Sequence, residues 1–168
     1  LSQEERRKHM QAVREKAIAI REWDSDEKVK PYAITMDDPE DPNMVELRTQ
    51  YGIENLVRGA ADDYEKLKRV LAWVQGQWQH NGNNTPSKPD PLTILREASE
   101  GKRFRCVEYA IVVTECTRSL GLSSRKLGLM RPDIETADSD AGHVVAEVWL
   151  SQFGKWVMVD GQWGAIAE

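Results

Sequence analysis

The segment Cys106-Val-Glu-Tyr-Ala-Ile-Val-Val-Thr-Glu-Cys-Thr-Arg-Ser-Leu-Gly121, followed by His143-Val-Val-Ala-Glu-Val-Trp-Leu150 and Lys155-Trp-Val-Met-Val-Asp160-Gly161, decides the fold. The first piece predicts a helix beginning near Cys106. It carries Val107, Ala110, Ile111, Val113 and Leu120 and ends at Gly121, a residue suited to the left-handed cap. A helix this apolar belongs in the centre of a domain, with neighbours on several sides. Beyond it the period changes to that of strands. Ser124 to Met130, His143 to Leu150 and Lys155 to Gly161 read as strands, with turn material at 151–154. Helices first and antiparallel strands last is an α+β order.

Upstream, Asp62 is a good N-cap with Glu65 at N3. Leu67, Val70, Leu71, Val74 and Trp78 recur at helical spacing, so an amphipathic helix is expected to run out only at His80-Asn81-Gly82. Pro86, Pro89 and Pro91 then impose an extended loop. Asp90 caps a short helix with Pro91 at its first position, Leu92 and Leu95 inward and Gly101 as its stop. Ser2 to about Trp23 predicts a helix with a thin stripe of Met10, Val13, Ala17 and Ile20. Asp24 to Asn43 reads as an irregular connection with a short strand around Tyr32 to Met36. The whole is expected to be a single domain over 1–168, with its core about 62–163 and residues 1–45 peripheral.

Cys106 stands where a reactive thiol is wanted, at a helix start whose backbone N–H groups and dipole favour an anion. Lys102, Arg103 and Arg105 stand nearby in sequence. His143 opens a strand and Asp160 ends the next one. A hairpin register of Leu150 with Lys155, or of Leu150 with Phe153, sets them opposite or offset by two residues, within reach of a hydrogen bond. That contact is what an imidazole base needs from an orienting carboxylate. Taken singly, each has a plainer reading: a buried structural cysteine, a satisfied strand histidine, a turn-forming aspartate.

Three runs together carry a resemblance. Gly101-Lys-Arg-Phe-Arg-Cys106-Val-Glu-Tyr-Ala110 with Arg118-Ser-Leu-Gly121, then Gly142-His143-Val-Val-Ala-Glu147-Val-Trp149, then Lys155-Trp-Val-Met-Val-Asp160 resemble the nucleophile helix and the histidine and aspartate strands of the transglutaminase-like superfamily. The resemblance implies a papain-like core in which the cysteine helix packs on an antiparallel sheet. It implies Cys106 as nucleophile, His143 as base and Asp160 as the group that fixes the imidazole. It also implies an oxyanion donor from the Trp78 to His80 region beside the Cys106 backbone N–H, although position 80 lacks the family's usual tyrosine. The implied activity is acyl transfer from an amide, peptide or protein substrate. Hydrolysis, as in a peptidase or amidase, is favoured over amine transfer, as in a transglutaminase. A non-catalytic binding domain that keeps the fold is the alternative.

The remaining composition sets bounds. A net charge of −5 argues against a nucleic-acid partner. No apolar run approaches the ~18 residues of a membrane span, so a soluble chain without membrane insertion is expected. The chain begins at Leu1, so an extracytoplasmic chain whose leader was removed is one reading. No CxxC, HExxH or EF-hand spacing is present, the cluster Asp37, Asp38, Glu40, Asp41 reads as a solvated loop, and no cofactor or metal is expected. A metal site made of the same His, Cys and Asp would need a fourth ligand. Cys116 lies ten residues beyond Cys106 in one helix, too far along the axis for a disulfide, and reads as a buried helix residue.

Overall fold

The structure, a computed structural model, describes residues 38–134, 136 and 142–167. The helix expected from Ser2 to Trp23, the strand expected near Tyr32 and Asp37 of the acidic cluster lie outside the described residues, as does most of the segment expected to be peripheral. Five helices precede four strands among the described residues. Helix α1 spans Pro42–Gln50, α2 Ile53–Val57, α3 Asp63–Gln75, α4 Pro91–Ser99 and α5 Cys106–Ser119. Strands β1 Ser124–Met130, β2 Gly142–Leu150, β3 Lys155–Asp160 and β4 Ala165–Ala167 form one sheet in the order β1-β2-β3-β4, with every neighbouring pair antiparallel.

The helix starts follow from short polar side chains that accept otherwise orphaned backbone N–H groups. Asp62 accepts from Glu65 N at 2.8 Å, Asp90 from Thr93 N at 2.8 Å and Asp41 from Asn43 N at 2.9 Å. Pro42 and Pro91 occupy the first turns of α1 and α4, where a missing N–H costs nothing. Helix α5 is buried around most of its girth. Tyr109, Ile111, Val112, Val113 and Cys116 meet Leu67, Val70 and Val74 of α3 and Ile94 and Leu95 of α4 in one core, which the inner sheet residues Ala146, Val148, Leu150, Val157 and Val159 complete. The chain is α+β, with its central helix laid on an antiparallel meander.

One expectation is corrected, and three elements were not expected. Helix α3 stops at Gln75 rather than near His80. Gly76 caps it with its N–H on Trp73 O at 3.1 Å, so Trp78 lies beyond the helix and not on its stripe. Helices α1 and α2 were not expected, yet Leu47 and Ile53 are fully buried in the core. Arg48 explains how a weakly patterned helix is held there. Its guanidinium donates to Ser119 O at 2.6 Å and to Pro39 O and pairs with Glu40 and Glu54, tying α1 to the end of α5. Strand β4 was also not expected; three residues carry too little pattern to be read. No helix among the described residues is long and apolar enough to cross a membrane.

Candidate active site

Cys106 is the first residue of α5, half-buried and free, with Arg105 as the N-cap. The start of the helix is fixed by Glu108, whose buried carboxylate accepts the Arg105 backbone N–H at 3.0 Å and its guanidinium at 2.7 Å. This reciprocal clamp leaves the first N–H groups of α5 facing the cysteine end of the helix. The hydrogen bond from Glu108 raises the Arg105 pKa above its ordinary value, against the opposing effect of burial, so Arg105 stays cationic beside Cys106. Two of the three cations expected to favour the thiolate are thus matched by carboxylates, since Lys102 pairs with Glu97 at 2.9 Å. Cys116 differs in kind: it is fully buried, and burial pushes its thiol far up.

His143 and Asp160 meet directly. The β2–β3 register runs from Leu150↔Lys155 to Ala146↔Val159, and continued by one step it sets Asp160 opposite Val145, two residues from His143 on the same face. The ring closes that offset: His143 Nε2 lies 2.7 Å from Asp160 Oδ2. In the neutral ring, a carboxylate that accepts Nε2–H leaves Nδ1 as the acceptor, and Nδ1 makes no hydrogen bond among the described residues. The second carboxylate oxygen is also occupied. Asp160 Oδ1 accepts the backbone N–H of Gln162 at 2.9 Å and of Trp163 at 3.2 Å, folding 160–163 into a turn around the side chain.

Gly161 brings this pair to the helix. A Cβ there would stand 3.0 Å from Tyr109 Cβ and 3.1 Å from Val113 Cγ2, tighter than ordinary van der Waals contact, so glycine eases the close approach of the end of β3 to α5. Tyr109 is one turn beyond Cys106, which sets the His143–Asp160 end of the sheet beside the first turn of the helix. The sulfur makes no hydrogen bond to the ring among the described residues. Such contacts are often long until substrate is bound.

Trp78 is held against both flanks of Cys106. Its ring lies 4.4 Å from that of Tyr109 and edge-on to Phe104 at 5.8 Å, and its carbonyl accepts the Tyr109 hydroxyl at 2.7 Å. Burial raises the Tyr109 pKa to about 12, so the hydroxyl remains a donor. The Asn81 N–H donates to Phe104 O at 2.8 Å and extends the same lacing. Trp78 is only 7 % exposed, and its indole N–H is buried without a partner. An unpaired buried donor is costly. His80, by contrast, is exposed and makes no hydrogen bond among the described residues, so the structure does not gather it with the others. Sequence reasoning missed the role of the 160–163 turn, although Asp160-Gly161 followed by Gly164 is a turn signature. No group of three or more His, Cys, Asp or Glu among the described residues converges as a metal site.

The profile described as the transglutaminase-like superfamily matches residues 52–161, well over half of the chain. No curated protein sequence matches. Of solved structures, a protein from Cytophaga hutchinsonii named as a candidate cysteine protease superposes with a TM-score of 0.54 at 14 % identity, over 73 % of this chain and 43 % of that one. A TGase gives a TM-score of 0.48 at 14 % identity, over 93 % of this chain and 37 % of its own. The chain therefore spans less than half the length of either, and at such identity the likeness to the first concerns the fold alone.

Proposed function

Because the chain belongs to the transglutaminase-like superfamily, we propose that it is a thiol-dependent acyl-transfer enzyme acting on an amide or peptide bond through Cys106, His143 and Asp160. The observation that carries the reading is the 2.7 Å contact between His143 Nε2 and Asp160 Oδ2, which orients the ring and leaves Nδ1 as the base. In the proposed reaction the Cys106 thiol gives its proton to Nδ1 while its sulfur bonds to the substrate carbonyl carbon. The oxyanion so formed is held by the Cys106 backbone N–H at the start of α5. Collapse expels the amine, which takes the proton from the imidazolium, and a thioester remains on Cys106. Water then attacks, His143 accepts its proton, the C–S bond breaks, and the acid leaves as the thiol reforms. We favour hydrolysis over transfer to an amine, and the His143 side chain is 30 % exposed, so the water that hydrolysis requires can reach the base.

The test sets wild type and Cys106→Ala against peptide, glutamine-amide and cell-wall-type amide substrates, with and without added amine. Turnover with an acyl adduct on Cys106 by intact mass, and free acid as the main product, is the expected result. Unchanged turnover by Cys106→Ala would sink the reading. Equal, slow iodoacetamide labelling of Cys106 and Cys116 would return the domain to a binding role.

A further inference from the structure

The described residues expose six large apolar side chains, and three of them, Leu129, Met130 and Trp163, adjoin the His143–Asp160 pair in register or sequence. Trp163 is 70 % exposed, an unusual state for a side chain whose burial is worth so much. Leu129 is paired with His143 across β1 and β2, so the two point to the same face, and it is 37 % exposed. Met130 follows it at 68 %.

Trp163 is not on a loose loop. Its own N–H and that of Gln162 bond to Asp160 Oδ1, and the turn closes at Gly164 with φ +64, a backbone conformation that L side chains rarely adopt. The indole is thereby presented on a backbone anchored to the same carboxylate that holds the base. Ordering a ligand against a rigid aromatic costs less than ordering both partners.

We propose that Trp163 in the Asp160 turn, together with Leu129 beside His143, forms the subsite for an apolar or aromatic side chain of an extended peptide substrate next to the scissile amide. Trp163 is then a specificity-determining residue. This rests on the acyl-transfer reading above and adds the substrate class, an uncharged apolar residue beside the cleaved bond.

The test uses the full chain and a pair of peptidyl vinyl sulfones that differ only in the residue next to the electrophile, Phe or Asp. The rate of Cys106 alkylation is followed by intact mass. The ratio of the two rates is compared within each protein, so any effect on the thiol itself cancels. Wild type is expected to favour Phe by at least about tenfold, Trp163→Ala to bring the ratio near one, and Trp163→Phe to retain most of it. A wild-type ratio near one, or an undiminished ratio in Trp163→Ala, overturns the subsite. If Cys106 reacts with neither reagent, nor with iodoacetamide, faster than buried Cys116, the acyl-transfer reading fails first and the subsite goes with it.

Discussion

Asp160 serves two sets of partners with one carboxylate: Oδ2 holds the imidazole and Oδ1 holds the turn. Substitution by Asn separates these tasks. An amide can still accept from the two backbone N–H groups, but its NH2 then faces Nε2, which must give up its proton and accept. Nδ1 becomes protonated and can no longer act as the base. Asp160→Asn is therefore expected to fold normally by circular dichroism while losing on the order of 10²-fold or more in kcat/KM for an amide substrate. An Asn variant as active as wild type would show that the carboxylate does not set the tautomer. Much of this site was legible at the level of single residues because both registers considered for the hairpin leave His143 and Asp160 within one offset of each other. The fate of the neighbouring cations was not legible, since Glu97 and Glu108 claim Lys102 and Arg105 through geometry that charge counting ignores.

Among elements, the end of β3 comes close to α5 at Gly161. In Gly161→Ala the new methyl would sit 3.0 Å from Tyr109 Cβ and 3.3 Å from Tyr109 O, backbone and near-backbone atoms that cannot swing away. The cost should be about 1–3 kcal/mol in urea unfolding, and activity should fall further because Asp160 is displaced with the strand. Full stability with full activity would mean the strand end relaxes freely. Element boundaries were readable where one strong local signal sets them. The spans of β1 and β2 and the Asp62, Asp90 and Gly121 ends match their patterns, Gly121 having φ +80. The end of α3 was misjudged because Trp78 fits the helical stripe by spacing, yet Gly76 stops the helix and the indole is buried by Phe104 and Tyr109 instead. Helix α1 was illegible for a related reason. Its place depends on Arg48 bonding to backbone seventy-one residues away, a tertiary contact with no local trace.

For the molecule as a whole, Glu97 links the loops on either side of α4. Buried on α4, it accepts from the Ser87 hydroxyl and backbone N–H and pairs with Lys102, just ahead of Cys106. These contacts, the Ser87 hydroxyl first, lower its pKa from 4.5 to about 2. A carboxylate depressed in the native state binds fewer protons there than when unfolded. Its stabilisation is thus complete above about pH 4.5 and declines as pH falls toward 2. Urea unfolding at pH 5 and pH 3 should show wild type losing stability across that interval, with Glu97→Gln losing less; parallel losses would remove Glu97 as a cause. The sheet has a further consequence. Each strand pairs only with its neighbour in the chain, so ring and carboxylate need no more than a hairpin to meet, whereas the sulfur is delivered by a helix that must dock against the sheet. During refolding, recovery of thiol chemistry therefore requires that docking in addition to the hairpin.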